Sequence, residues 1–349
     1  MSQIITLGDT RIKPGERASV ELELPRLYSH TPVVMPVQVV NGRREGPVLF
    51  VSAAIHGDEI NGVEFIRRLL NSRQVQKLKG ALIAVPVVNV YGFVSQSRYL
   101  PDRRDLNRAF PGSETGSMAA RLAHTFMREV VRQCTHGIDL HTGAVGRENL
   151  PQIRAKVVDA PETAEMACAF GAPVILNAEL RDGSLREAVK VLDIPVLLYE
   201  AGEALRFDEV AIRAGVKGVT AVMRKLGMLP RGKKRKKQLK PLIASRSRWL
   251  RAPQSGVLRM LLPLGGQVEE GDLIGWVADP FGEQEVELRA DVSGIIIGRT
   301  NLPLVHEGEA IVNVALFKEP ESATESVEAF QEEHDPLSDR SPQDEPVIV

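Results

Sequence analysis

The chain has 349 residues, of which 43% are hydrophobic and 26% are charged, and its formal net charge is −1. These values predict a globular protein with a full core and two domains. Two cysteines exclude a disulfide framework, and no apolar run reaches the roughly 18 residues that cross a membrane. The first residues contain no basic segment followed by an apolar one, so we expect a cytoplasmic protein.

The first 230 residues predict an alternation of strands and helices. Residues 1–45 are rich in β-type patterns, and Asn41-Gly42 predicts a hairpin turn between strands Val33–Val40 and Val48–Ile55. The other predicted strands are Ala81–Val88, Ile138–Leu140, Ile153–Val158 and Ile194–Tyr199. The predicted helices are Glu59–Leu70, Ser117–Val131, Pro161–Phe170, Ser184–Val191 and Phe207–Leu226. This order indicates an α/β domain over residues 1–230 with a parallel or mixed central sheet.

The composition changes after Pro230. Seven of the ten residues Arg231–Lys240 are Lys or Arg. A nucleic-acid surface is one interpretation, but the run has no interleaved aromatic residues. We interpret residues 231–246 as a solvated basic linker, and nucleic acid as an unlikely partner.

Two further segments follow the linker. Residues 247–318 have short β-type runs separated by Gly and Pro, which predicts a smaller all-β domain. Residues 319–349 contain ten acidic residues and one Arg, with few large apolar groups. We therefore predict a disordered acidic tail, while contact with a basic surface or partner is the alternative.

Four candidate functional residues follow three of the predicted apolar strands. His56 and Glu59 follow Val48–Ile55, His141 follows Ile138–Leu140, and Glu200 ends the run Ile194–Tyr199. Two histidines and one glutamate are the ligands of a hydrolytic zinc site that keeps one position for water. A capping Glu beside a surface His also explains the short His-x-x-Glu motif. The position of His56, His141 and Glu200 at predicted strand ends favours the zinc site, because ligands bind there in α/β sheets.

A polar, arginine-rich segment from Arg98 to Gly112 predicts a loop. The guanidinium group of Arg108 is suited to bind a carboxylate through two hydrogen bonds, and Asn107 adds an amide donor. Arg98 is suited to stabilise an oxyanion. A solvated basic loop is the alternative, but it does not explain why Asn107 and Arg108 lie between apolar neighbours.

Four motifs together resemble one known family. They are His-x-x-Glu at residue 56, Asp-Leu-Asn-Arg-Ala-Phe-Pro-Gly at residue 105, Asp-Leu-His-Thr-Gly at residue 139, and the strand that ends at Glu200. This combination over residues 45–225 is similar to the succinylglutamate desuccinylase/aspartoacylase family of the zinc carboxypeptidase superfamily. The resemblance implies a zinc-carboxypeptidase-like mixed central sheet flanked by helices, followed by a smaller all-β, biotinyl/lipoyl-like domain.

The resemblance also implies roles for seven residues. His56, Glu59 and His141 would hold one Zn²⁺ per chain. Asn107 and Arg108 would bind the free carboxylate of the substrate, Arg98 would polarise the scissile carbonyl, and Glu200 would be the general base and acid. The loop between Arg98 and Asn107 is two residues longer than in aspartoacylase, and Arg103 stands where glycine is more usual.

From these observations we expect a zinc-dependent amide hydrolase of amino-acid metabolism. It would remove an acyl group such as succinyl or acetyl from an N-acyl amino acid with a free carboxylate. One alternative is a zinc carboxypeptidase that acts on short peptides. Another is a non-catalytic protein that binds a carboxylate or nucleic acid. No membrane partner is expected, and homo-oligomerisation is left open.

Overall fold

A computed structural model describes residues 3–232, 242–317 and 320–334 of the chain. The first ten strands are β1 (Ile5–Leu7), β2 (Thr10–Ile12), β3 (Arg17–Leu24), β4 (Val33–Asn41), β5 (Arg44–Ala53), β6 (Lys79–Val85), β7 (His136–Gly143), β8 (Arg147–Ala155), β9 (Val174–Asn177) and β10 (Val196–Glu203). The helices among them are α1 (Asn61–Asn71), α2 (Val90–Val94), α3 (Met118–Glu129), α4 (Pro161–Phe170), α5 (Leu185–Lys190) and α6 (Glu209–Lys225).

The remaining described elements belong to the C-terminal part of the chain. They are β11 (Leu242–Ala244), β12 (Arg246–Arg251), β13 (Gly256–Met260), β14 (Gln267–Val268), β15 (Leu273–Ala278), β16 (Glu285–Arg289), β17 (Gly294–Thr300), β18 (Leu304–Val305), β19 (Ala310–Leu316) and α7 (Pro320–His334). No helix among the described residues is long and apolar enough to cross a membrane.

The centre of the protein is a large mixed sheet. Its strands follow the order β12-β19-β17-β8-β10-β7-β5-β6-β4-β3. Strands β10, β7, β5 and β6 run parallel, whereas β8 and β4 run antiparallel at the two sides of this group. The predicted fold class, a mixed α/β sheet flanked by helices and followed by an all-β region, is confirmed.

Strand β5 shows how the sheet separates two apolar cores. Leu49 and Val51 belong to the core that also contains Phe65, whereas Val48 and Phe50 pack in the core on the opposite face with Phe126. Adjacent side chains of a strand point to opposite faces, so β5 is buried on both sides. Its continuous apolar sequence is therefore that of a central parallel strand.

The predicted hairpin at Asn41-Gly42 is wrong. Strand β6 lies between β4 and β5 and pairs with both of them. The glycine has another purpose, because a Cβ atom at Gly42 would lie 2.2 Å from Leu78 O. Gly42 N also donates a hydrogen bond of 2.8 Å to Gly80 O. The turn thus packs against the chain that enters β6.

The C-terminal strands form two groups. Strands β16, β15, β13 and β18 make a separate four-stranded sheet, while β12, β19 and β17 extend the large sheet through β8. Strands β17 and β9 share one edge of β8. Asn149 pairs with Gly298 of β17, and Gln152 pairs with Val174 of β9. The C-terminal strands therefore continue the sheet that carries the first domain. The exact division of the chain into domains stays a prediction.

Two segments predicted to lack regular structure contain elements. Within the predicted linker 231–246, β11 pairs in parallel with β9; residues 233–241 lie outside the described residues. Within the predicted disordered tail 319–349, residues 320–334 form α7, and residues 335–349 lie outside the described part. Disorder is wrong for this helix because Val327 is buried in a core with strands of the large sheet. The few apolar residues of the segment suffice for docking.

Candidate functional site

The carboxyl ends of three neighbouring parallel strands place the predicted ligand residues together. His56 and Glu59 follow β5, His141 lies near the end of β7, and Glu200 lies near the end of β10. In the paired register of β7 and β10, Glu200 stands beside His141. The sequence predicted this arrangement from the three apolar runs, although His141 and Glu200 lie within their strands rather than beyond them.

A glycine allows the turn after β5 to be compact. A Cβ atom on Gly57 would lie 2.0 Å from the carbonyl carbon of Gly92 in α2. Any larger residue would therefore push α2 away from the turn that carries His56 and Glu59. This close approach of two backbones is the reason for glycine within the His-x-x-Glu motif.

His56, Glu59 and His141 form one buried cluster. Glu59 Oε1 lies 2.6 Å from His56 Nδ1, and Glu59 Oε2 lies 2.7 Å from His141 Nδ1. One ligand atom from each residue lies within 4.8 Å of the others. Two imidazole nitrogens and a carboxylate oxygen at this spacing fit a zinc ion with an open position.

Carboxylates hold the opposite nitrogen of each histidine. His56 Nε2 lies 3.1 Å from Asp105 Oδ1, and His141 Nε2 lies 2.7 Å from Asp139 Oδ2. Ser52 Oγ donates a hydrogen bond of 2.7 Å to Asp139 Oδ1. Such outer contacts fix the ring orientation and the tautomer of metal-binding histidines. Both Nδ1 atoms are thereby directed toward Glu59.

The charges of the cluster support one another. Burial alone raises the pKa of Glu59, but the two histidines outweigh this effect and hold the pKa below its ordinary value. Burial lowers the pKa of His141, but Asp139 and Glu59 raise it well above 6.5. Burial also lowers the pKa of His56, but Glu59 and Asp105 outweigh this effect and raise it above its ordinary value. Glu59 is therefore ionised, and a bound cation would replace protons on the two histidines.

Arg98 reaches the cluster of His56, Glu59 and His141 from the loop after α2. Its Nη1 donates a hydrogen bond of 3.3 Å to Glu59 Oε1, and its Nη2 donates one of 3.2 Å to Asp105 Oδ2. The loop is anchored by the buried side chains of Leu100 and Leu106. Arg98 thus lies at the predicted place beside the cluster.

Asn107 and Arg108 lie on a short 3₁₀ helix, Leu106–Arg108. Asp105 caps this helix by accepting a hydrogen bond of 2.8 Å from Asn107 N. The Asn107 side chain is buried, and its Oδ1 accepts a hydrogen bond of 3.0 Å from Leu185 N. The amide nitrogen is the donor that remains for a ligand. Arg108 is exposed, and its Nη1 donates to Asn107 O over 2.5 Å.

One cavity unites the seven predicted site residues. Its walls include the three cluster residues, Arg98, Asn107, Arg108 and Glu200. None of its lining residues comes from the described part of the C-terminal strands. The cavity wall is therefore built by residues of the α/β part of the chain.

Three arginines of the same cavity were not predicted. They are Arg154 of β8, Arg181 and Arg186. Arg154 Nη1 lies 2.9 Å from Glu200 Oε2. Burial, together with the charge of Arg154, lowers the pKa of Arg186 to about 10. The sequence offered no clear signal for Arg154, because β8 also contains the polar residues Arg147, Glu148 and Gln152.

Comparisons with known proteins agree on one family. The family model described as the succinylglutamate desuccinylase/aspartoacylase catalytic domain matches residues 45–226. The N-alpha-acetyl-L-2,4-diaminobutyric acid deacetylase of Halomonas elongata is 28% identical over 295 residues, which cover 81% of this chain and 86% of the relative.

Solved structures show the same fold. The product-bound ectoine utilization protein EutE (DoeB) from Ruegeria pomeroyi is 26% identical, with a TM-score of 0.77, and the match covers 86% of this chain and 95% of that one. A succinylglutamate desuccinylase/aspartoacylase from Rhodobacter sphaeroides is 24% identical, also with a TM-score of 0.77, and the match covers 86% and 96% of the two chains.

Proposed function

Because the chain belongs to the succinylglutamate desuccinylase/aspartoacylase family, we propose that it is a zinc-dependent deacylase. It would hydrolyse the amide bond of an N-acyl amino acid that carries a free carboxylate. The observation that carries this proposal is the buried cluster of His56, Glu59 and His141 in one cavity with Glu200 and Arg108. This cavity offers a metal site, a base and a carboxylate receptor.

The cluster residues would hold the metal. Their donor atoms are those that zinc prefers, and their outer nitrogens already have the carboxylate partners of a built metal site. A zinc ion supplies a Lewis acid that polarises a carbonyl oxygen and lowers the pKa of water. No other described group of three His, Cys, Asp or Glu residues offers a comparable arrangement.

Glu200 would move the proton. It lies beside His141 and lines the cavity, and Arg154 holds one of its carboxylate oxygens from the neighbouring strand. A carboxylate at this position can take a proton from water and later give it to the leaving amine. The fixed position of the carboxylate lowers the entropic cost of both proton transfers, because the group does not have to be ordered during the reaction.

The arginine loop would bind and orient the substrate. Arg108 supplies a guanidinium fork, and the Asn107 amide nitrogen supplies a donor beside it, which together match a free carboxylate. Arg98 contacts Glu59 of the cluster and Asp105, which caps the short helix of Asn107, so it would stabilise negative charge on the scissile carbonyl oxygen. Binding of the carboxylate thus places the amide bond near the metal and Glu200.

The comparisons indicate which acyl groups to test first. The Halomonas relative is named for removal of an acetyl group, and the family description names a desuccinylase. Acetyl and succinyl derivatives of amino acids are therefore the first candidates for this chain.

Hydrolysis of a matched panel tests the proposal. Purified protein would be given N-acetyl and N-succinyl amino acids and dipeptides, with and without a chelator, and the free amine would be measured. We expect chelator-sensitive release from at least one N-acyl amino acid, restored by added zinc. Release from dipeptides alone would identify a carboxypeptidase, and release that is unaffected by metal removal would contradict the zinc mechanism.

A further inference from the structure

A basic groove lies at the opposite end of the central sheet from the metal cluster. Four segments line a cavity of about 900 Å³ there, namely residues 15–17, 40–44, 75–79 and 228–230. Arg44 opens β5 and pairs across the sheet with Lys79 of β6. The metal cluster follows the other end of β5, nine residues further along. At about 3.3 Å per residue, this separates the groove from the cluster by roughly 25–30 Å.

The lining of this groove has an excess of positive charge. Its cations are Arg17, Arg43, Arg44, Lys77 and Lys79, and its acidic residue is Glu16. Glu16 Oε2 accepts a hydrogen bond of 2.6 Å from the backbone of Lys13. Arg17 donates to the neutral amide of Gln38. Among the described residues, no ion pair neutralises any of the five cations.

The sequence continues the positive charge at the rim of the groove. Pro230 lines the groove, and the exposed Arg231 follows it as the first residue of the basic run. Residues 233–240 of that run lie outside the described part, and the proposed site consists of the groove residues alone. Arg231 therefore adds one described positive charge at the rim of the groove.

We propose that this groove binds a soluble ligand with several phosphate groups, such as an oligophosphate. Arginine and lysine are the side chains that bind phosphate, and a ligand with several negative charges matches several cations better than one carboxylate does. No aromatic residue lines the groove, so no side chain is available for stacking on a nucleobase. Its concave form favours a compact ligand over a flat membrane surface.

Calorimetric titration of the full chain with inorganic tripolyphosphate tests this site. The groove variant carries Arg43→Gln and Arg44→Gln. The matched control carries Arg246→Gln and Arg259→Gln, two exposed arginines of the C-terminal strands, and has the same net charge. We expect the groove variant to bind roughly tenfold more weakly and the control to bind like the wild type. Binding by the wild type should also weaken as salt rises from about 0.05 M to about 0.5 M.

A second pair, Lys77→Gln with Lys79→Gln, guards against a local effect of one substitution and should weaken binding similarly. Thermal unfolding without ligand checks that every variant is folded. Equal affinities in all variants, or no binding by the wild type, would overturn the proposal. The protein is also sedimented with vesicles that contain a phosphorylated inositol lipid. If it binds these vesicles but does not bind tripolyphosphate, the proposal is overturned in favour of a lipid headgroup. Deacylase activity plays no part in these measurements, so the proposed function stands or falls separately.

Discussion

Glu200 and His141 are paired neighbours on adjacent parallel strands, so a carboxylate stands directly beside an imidazole of the proposed metal site. The two residues are 59 positions apart in the sequence, and only the sheet brings them together. Since β7 and β10 are both packed in the core, the position of Glu200 relative to His141 does not depend on a mobile loop. The relationship ties the proposed base to the proposed metal site.

Replacement of Glu200 tests its role as base. Glu200→Gln keeps the size of the side chain but removes the group that accepts a proton. We expect the variant to retain its zinc while kcat falls by roughly 100- to 10,000-fold. Metal content and steady-state rates would be measured on the same preparation. A variant with wild-type rates would remove Glu200 from the mechanism.

Asp139 tests the outer contacts of the metal site. Asp139→Asn removes the negative charge beside His141 Nε2, so that the ring is held less firmly with its Nδ1 toward Glu59. Zinc affinity, measured by competition with a coloured chelator, should fall about 10- to 100-fold. Ser52→Ala removes only one hydrogen bond to the same carboxylate and should have a smaller effect. Unchanged affinity in both variants would show that Asp139 does not support the site.

Arg108 tests the recognition of the substrate carboxylate. Arg108→Ala should lower kcat/KM for a free-acid substrate by roughly 10- to 100-fold, mainly through KM, because it removes a charge-assisted pair. A substrate with an amidated carboxyl group should be affected much less. Arg103→Ala is the control, since Arg103 is an exposed arginine of the same loop that does not line the cavity. Equal losses on both substrates would argue against the role of Arg108.

Helix α7 is expected to stabilise the fold. Val327 packs in a core with Leu150 and Ile297, so Val327→Ala should lower the free energy of unfolding by about 2 kcal/mol. Glu328→Ala on the exposed side of the same helix should change it by less than about 0.5 kcal/mol. Denaturant unfolding measures both values. Identical stability of the two variants would indicate that α7 does not dock in solution.

The stability of the metal-stripped protein should depend on pH above about 6.5. The pKa of His141 is raised in the folded protein, so its stabilising contribution is complete below the unfolded value of 6.5 and is lost as pH rises through the folded value. Glu59 has a lowered pKa and stays ionised throughout this range. We expect the Tm of the stripped wild type to fall as pH rises, and that of His141→Gln to fall less. If the Tm of both proteins changed equally with pH, His141 would not be the group responsible for the pH dependence.

Much of the site could be predicted from the sequence because its parts follow apolar runs. The ends of β5, β7 and β10 were recognisable, and parallel strands bring such ends to one edge of a sheet. The additional arginines were not recognisable in the same way. Arg154 faces Glu200 only because β8 runs antiparallel beside β10, a pairing that no local pattern encodes.

The errors in the predicted fold have the same origin. Asn41-Gly42 is a good hairpin signal, but β6 pairs between the two strands that it joins. The acidic composition of residues 319–349 predicts disorder, but the docking of Val327 depends on a surface built by distant strands. Local propensity therefore identified most elements, while non-local pairing decided their neighbours.

The shared edge of β8 limits how far the chain can be divided. On one edge, residues 147–149 of this strand pair with β17 and residues 152–155 pair with β9, while β10 pairs along the opposite edge. A chain shortened before the C-terminal strands would keep the cavity residues but would leave part of this strand as an open edge, which invites pairing with other molecules. The two parts thus share one sheet, and exchange of the C-terminal part between relatives would have to preserve the register of β8 with β17.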